Sequence, residues 1–454
     1  MTNYSAQLVE HLVSLKPFLL DGAIGTHAAM ALLDTVGCGL YGANQQWGRI
    51  LREHMLAEGS RGKATLFGES VAVAPSRAAL ANGTSAHGFE LDDIIQGALV
   101  HPGAPVIPAA LAVAENSGVS GERLLLGIVA GYEVMARLGW ALGAEHNTRG
   151  YHTTGVAGPI AAAVACGIVL EQSLETMLSA VGIACSSAGG IKAFTQGTGG
   201  MVKRMHAGRA AETGVLACEL AQRGFTGPLA GIDGHFGLLE VIGGSDTDVE
   251  ALTRDLGREY AVSKVWVKAY PCCGLIHSVS HAIEAIRKET SLTPADVKKI
   301  VVHTSRRAVE HNGDPNPQET MAAQYSIPYC AGAAVVKNPR DPAAFDQDGL
   351  RDPEIRRVAA LTQLRIDERM DALYPAHFAA RVEVTLNGER KAERTVIDPH
   401  GTASDACDAA EIEAKFRLLA KPVTQTQRID QVIHAVRELR GAATVDAFSA
   451  ALHG

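Results

Sequence analysis

The chain has eight cysteines, at 38, 166, 185, 218, 272, 273, 330 and 407, but no C-x-x-C pair. That lack argues against a secreted disulfide frame and against the usual zinc or iron–sulfur spacing, so reduced thiols and no metal are expected. The adjacent Cys272 and Cys273 point in different directions on most backbones, which suits one buried thiol and one facing a pocket. There is no excess of positive charge: 41 Lys and Arg stand against 49 Asp and Glu, a net charge of −8. Nucleic acid and anionic membrane reward clustered cations, so neither is an expected partner and a small molecule is. The N-terminal "MTNYSAQLVEHLVSLK" lacks the basic-then-apolar order of a signal peptide, which makes the cytoplasm the default location. The longest stretch without a formal charge, Gly150 to Leu170, is about long enough to span a bilayer. It carries His152, Tyr151 and several Thr, Pro and Gly, and reads as a buried helix behind a polar lead-in loop. No repeat and no low-complexity linker is visible.

What is present is enough for a large core. With 454 residues, 47% of them hydrophobic, the chain exceeds the roughly 250–300 residues at which single cores stop growing. Residues 1 to 265 read as helix after helix, with Leu8, Leu12 and Leu15 on one stripe and the 3.6-residue period continuing through "ERLLLGIVAGYEVMARLGWAL". After Lys264 the character changes. "KKIVVHTSR" is a β-branched run, and "ARVEVTLNGERKAERTVI" is two alternating strands around Asn387-Gly388. From about 410 the pattern is helical again. The expected fold is mainly α: a large helical domain from residues 1–265 plus 400–454, and a smaller inserted α+β domain at 266–399.

Five stretches could carry chemistry. In "ANGTSAHGFELDD" (81–93), a helix through 87–93 would put His87, Glu90 and, one turn on, Asp93 or Ile94 on one face and point Asp92 elsewhere. Glu90 would then be the acid beside a histidine; equally, the acids could simply solubilise a helix end. In "ALVHPGAPVIPAAL", His101 stands at a loop-to-helix junction, where an anion could be met. "FTQGTGGMVKRMHAGRAAETG" lacks the phosphate-loop spacing G-x-x-x-x-G-K-[ST] and a preceding strand, which rules against a nucleotide. It delivers Lys203, Arg204 and His206 to a helix start, a setting suited to carboxylates. "VSKVWVKAYPCCGLIHSVSHAIEAI" begins as a strand-like run and places His277 and His281 at i, i+4 without a third metal ligand. "AAQYSIPYCAGAAVV" puts Tyr325 and Tyr329 on one helical face, either of them core or a pocket acid.

Taken in order, these stretches together with "GYHTTGVAGPIAAA", "VKAYPCCGLIH" and "AAEIEAKFRLLA" resemble the MmgE/PrpD family, whose members include 2-methylcitrate dehydratase, cis-aconitate decarboxylase and iminodisuccinate epimerase. The resemblance implies an all-helical domain built from both chain ends, an inserted α+β domain, an active site in the cleft between them and a homodimer. It places the family's first motif acid on Glu90, its two loop histidines on His101 and His152, its lysines on Lys203 and Lys268, and its helix tyrosine on Tyr329. Arg204, His206 and Cys273 would join Lys268 in holding substrate. Two positions depart from the pattern. Ile94 stands where decarboxylase-like members carry threonine, and Cys273 stands near a position that is polar in dehydratase- and decarboxylase-like members.

The chemistry implied is proton movement at a carbon next to a carboxylate of a small di- or tricarboxylate, with no metal or organic cofactor. Lysines would neutralise the developing enediolate, and His101, His152, Glu90 and Tyr329 would be the candidates to carry protons. The less polar pocket at Ile94 and Cys273 favours an epimerase of an imino- or amino-dicarboxylate over dehydration of a 2-methylcitrate-like substrate or decarboxylation. A non-catalytic metabolite-binding protein is the remaining alternative.

Overall fold

The computed structural model describes residues 3–195 and 200–453. The chain forms two compact units, one made of residues 1–88, 92–265 and 408–454, the other of 89–91 and 266–407. The first is helical. Its centre is built where small residues let helix backbones approach closely. The helix Met201–Gln222 packs on both Pro75–Ala86 and Thr153–Val169. A Cβ added at Gly208 would lie 2.2 Å from both Leu80 O and Thr84 Oγ1, and one at Gly214 would lie 2.3 Å from Ala162 Cβ. The packing has a consequence for chemistry, because it brings three helix ends together. His87 caps the C-terminus of Pro75–Ala86, His152 is the N-cap of Thr153–Val169, and Lys203 and His206 sit in the first two turns of Met201–Gln222.

The helices Ala23–Ala43 and Gly121–Leu142 are long and apolar enough by length and composition to cross a membrane, but 72% and 94% of their most apolar windows are buried inside the protein. That is the signature of core helices. The helix Ala409–Ala420 packs on Ala23–Ala43, with Phe416 Cδ2 3.0 Å from where a Cβ on Gly37 would stand. The C-terminal helices therefore rejoin the first unit.

The second unit is α+β. Its sheet runs in the order Thr362–Ile366, Val297–Thr304, Ala380–Leu386, Lys391–Val396. The first pair is parallel and the other two are antiparallel. Ala380–Leu386 alternates strictly between buried and half-buried residues, as a one-sided strand must. The hairpin turns at Asn387-Gly388, where Gly388 takes φ 74°. One expectation fails here. The strand-like run at 262–267 is a short 3-10 turn, Ala261–Lys264, followed by non-helical chain in which Trp266 makes a single β-bridge, and it is none of the strands described in the sheets.

Candidate functional site

The acidic stretch is not helical. The helix ends at Ala86, and 88–93 are loop. Gly88 follows the cap His87, and Glu90 adopts the left-handed φ of 58°. The i, i+3 face expected for His87, Glu90 and Asp93 therefore does not exist. Asp92 is the acid that meets the histidines. Its Oδ2 lies 2.5 Å from His87 Nδ1 and 3.3 Å from His101 Nδ1. His101 Nδ1 is also 2.8 Å from Asp93 O. A carbonyl only accepts, so in the neutral ring Nδ1 carries the proton and Nε2 bears the lone pair.

Asp93 has a different task. Its Oδ1 accepts from Gly103 N at 2.9 Å and its Oδ2 from Tyr132 Oη at 2.6 Å. Burial pushes its carboxyl up to about 7, against the pull of those two hydrogen bonds. The N-terminus of the Gly103–Ser117 helix, which the sequence offered to a bound anion, thus receives the chain's own carboxylate.

Around this loop four imidazoles lie ring to ring. His87 is 5.1 Å from His101 and 5.6 Å from His152, and His152 is 5.1 Å from His206. The Nδ1 atoms of His152 and His206 are 2.9 Å apart, a distance that requires one to donate and the other to accept. Phe194 stands edge-on to both rings, at 5.6 and 5.7 Å. Burial holds His87 down to about 4, despite the opposing pull of Asp92. Burial also lowers His152 far below its ordinary range, reinforced by the charges of His87 and Lys203, and it lowers His206 more mildly. His87, His152 and His206 are therefore neutral at pH 7. Lys203, 5% exposed, is the cation among them. The glycine-rich residues 196–199 expected to present it lie outside the described residues.

Arg204, expected as a substrate ligand, is held by its neighbours in the helical unit. Its Nε donates to Gly88 O at 2.7 Å and its guanidinium stacks 4.0 Å from the Trp47 ring centroid, so it braces the loop behind His87.

The second unit carries its own cluster. Lys268 Nζ lies 3.5 Å from Glu90 Oε2, with both side chains buried. Glu90 is thus the partner of a lysine. Cys273 belongs to this cluster: its N–H donates to Gln324 O at 2.9 Å, and burial followed by the Glu90 charge pushes its thiol up to about 11. Gln324 Nε2 in turn donates to Phe89 O at 2.8 Å, bracing the peptide before Glu90. For Cys272, burial alone would raise the thiol, but Cys330, His277 and Lys268 together bring it down.

Tyr329 corrects another expectation. It is fully buried in the helix Ile327–Val336, donates its hydroxyl to Ala344 O at 2.7 Å and packs on Phe345. That hydroxyl is committed to the core. Tyr325 is half-buried at the C-cap of a separate short helix, Thr320–Gln324, so the two tyrosines share no helical face. His277 and His281 also have separate neighbours. His277 Nε2 lies 3.2 Å from Cys272 O, while His281 Nδ1 accepts from His400 N at 3.1 Å.

His87, Asp92 and His101 bring donor atoms within 4.8 Å of one another, close enough to consider a metal. The geometry is instead that of hydrogen bonds. Donors sharing a tetrahedral zinc at about 2.0–2.1 Å stand roughly 3.3 Å apart, wider than the 2.5 Å between His87 and Asp92, and His101 Nδ1 already gives its proton to a carbonyl. A cavity of about 450 Å³ lies elsewhere in the helical unit, lined by Glu133, Arg137, Trp140, Arg258 and Lys264. Sequence reasoning missed Asp92 as the shared acid and Phe194 as a wall. For Asp92 the signal was Gly88, a helix-stop residue directly after His87.

A helical unit completed by both chain ends, an α+β unit, and buried clusters of His, Lys and acid define a family. The chain belongs to MmgE/PrpD: the MmgE/PrpD N-terminal domain matches residues 6–250 and the MmgE/PrpD C-terminal domain residues 270–439. Among its relatives, a "cis-aconitate decarboxylase-like protein oryM" of Aspergillus oryzae is 29% identical over all of this chain and 98% of its own length. A cis-aconitate decarboxylase of Aspergillus terreus is 27% identical over 91% of this chain and 88% of its own. The cis-aconitate decarboxylase of Homo sapiens is 26% identical, covering 90% and 86%.

Proposed function

We propose that this protein is a cofactor-independent lyase of small tricarboxylates, with cis-aconitate the first substrate to try. The observation that carries the reading is the state of His101: Nδ1 is held by Asp93 O and Asp92, which leaves Nε2 to exchange a proton. Decarboxylation beside an alkene needs that. The C–C bond to the departing carboxylate breaks, its electron pair forms the new double bond, the old alkene pair shifts to the far carbon, and that carbon takes a proton that His101 Nε2 has first drawn from water, while Nδ1–H stays on Asp93 O and Asp92. The products are carbon dioxide and a shifted alkene. Lys203 supplies positive charge in the helical unit and Lys268 in the second, each suited to a substrate carboxylate or to charge developing in the transition state.

The relatives' names support a lyase over the epimerase that the sequence departures favoured. Epimerisation retains one specific support, the buried apolar Ile94, and dehydration of a hydroxy-tricarboxylate would use the same proton carriers. The test is proton NMR in D2O with cis-aconitate, 2-methylcitrate and iminodisuccinate, alongside a carbon dioxide assay. Carbon dioxide with a new alkene supports decarboxylation; water loss without it selects a dehydratase; exchange of an α-proton with no new alkene selects an epimerase. Turnover abolished by chelation and restored by one metal would overturn the cofactor-free part of the proposal. A homodimer is the proposed assembly, checked by light scattering.

A further inference from the structure

We propose that Asp92 and His87 are positioning residues that set the tautomer and ring orientation of His101, Asp92 by accepting from its Nδ1–H and His87 by fixing Asp92. The inference rests on the reading of His101 as the proton carrier.

Asp92 is 2% exposed and uses one oxygen, Oδ2, to meet both imidazoles. The shorter contact is to His87, the more deeply buried of the two, so His87 is the anchor and His101 the ring being aimed. His87 is 1% exposed, and its Nε2 has no hydrogen-bond partner among the described residues. A buried imidazole with one nitrogen unsatisfied is costly in a core, and packing alone would be met by an apolar ring. What His87 does supply is one N–H, directed at Asp92. Because burial keeps it neutral at pH 7, it can hold the carboxylate without neutralising its charge. Asp92 then remains an anion for His101. The groups facing this array are Asp93 on the same loop, His152 at the start of its helix, and Lys203 and His206 on theirs. Of these, Lys203 repels a proton on His87 and His152, which keeps the anchor neutral, with a single N–H to give to Asp92. The second hold on His101, Asp93 O, is backbone, so it persists when Asp92 is altered. Asp92 therefore removes the competing Nε2–H tautomer; it does not create the only contact.

The test uses the full-length protein labelled with 15N at histidine. Nitrogen chemical shifts and long-range couplings report which ring nitrogen of His101 is protonated, in the absence of any substrate. The wild-type ring is expected as the Nδ1–H tautomer. In Asp92→Asn and in His87→Ala the Nε2–H form should become populated, and with the true substrate kcat should fall by about 10²-fold while KM changes little, the scale of a lost proton-transfer contribution. His87→Asn, whose amide nitrogen stands where Nδ1 stood, should restore most of what His87→Ala loses. If Asp92→Asn does not fold, the two His87 variants carry the test. An Nε2–H tautomer in the wild type would overturn the proposal, as would an unaltered His101 tautomer in every folded variant. If the tautomer shifts as expected but no polycarboxylate is turned over, the positioning role stands and the proposed function falls.

Discussion

Both units bury a carboxylate beside a cationic or basic partner, but the pairs differ in kind. In the helical unit Asp92 faces two imidazoles, and burial keeps the anchoring His87 neutral at pH 7. In the second unit Glu90 faces Lys268, an ammonium among buried thiols. An imidazole can gain and lose a proton near neutrality, and is the group for proton transfer. A lysine paired with a glutamate holds charge in place. The comparison teaches that one acidic motif, Glu90-Leu91-Asp92-Asp93, feeds two kinds of electrostatics, and that neighbouring acids need not share a role.

The largest effect that would break this comparison is expected on stability. Glu90→Gln strips a buried pair of its anion, a change that costs about 3–5 kcal/mol in buried pairs generally. Urea unfolding should register the loss. If Glu90→Gln were as stable as wild type, the Lys268 pair would not be the structural charge lock described.

Next is Lys203→Ala, expected to fold and to lose about 2.7–4 kcal/mol of transition-state stabilisation, a fall of roughly 10²–10³ in kcat. A folded variant with near-normal kcat/KM would move the chemistry away from the histidine cluster.

The third test is acid. Unfolded His87 takes up a proton near its ordinary 6.5, whereas the folded residue resists until about 4. Between those values the unfolded state binds more protons, so stability falls as pH falls, by up to about 3 kcal/mol at this residue. Asp93 works in the opposite sense. It holds its proton up to about 7 when folded against an ordinary 3.8, so its contribution is present at low pH and lost as pH rises toward 7. Melting temperatures of wild type and His87→Asn at pH 7 and pH 4.5 separate the two, and the wild type should lose more on acidification. Equal losses would mean that His87 is not held neutral.

The smallest effect sharpens the packing argument. Gly208→Ala forces a methyl against Leu80 O and should cost about 1–3 kcal/mol by overpacking, read from the denaturation midpoint.

Much of the fold was legible because local patterns carry it. The 3.6-residue stripes marked the helical region, and Asn387-Gly388 marked the hairpin that the structure contains. The strand Thr362–Ile366 was not legible, since it is only five residues long and half-buried to exposed throughout, so its Leu364 and Ile366 mark no buried face. Of the site, His101, Lys203 and His206 could be named from the chain, because a histidine or lysine beside a helix start is a local feature; His152 came only with the family resemblance. Tyr329 could not be told from Tyr325 on the same footing; only the Ala344 carbonyl at the end of its hydroxyl assigns it to the core.

The sequence by itself determined the helix ends and the residue types placed there, since caps, glycines and periodicity act over one or two turns. The tertiary structure alone decided which of those residues meet. His87 touches His152, and His152 touches His206, because glycines at 158, 208 and 214 let three helices approach to backbone contact. It also decided which acid serves the histidines. A single left-handed residue, Glu90, turns the loop, and once the helical phase is broken no periodic rule says where the next carboxylate points.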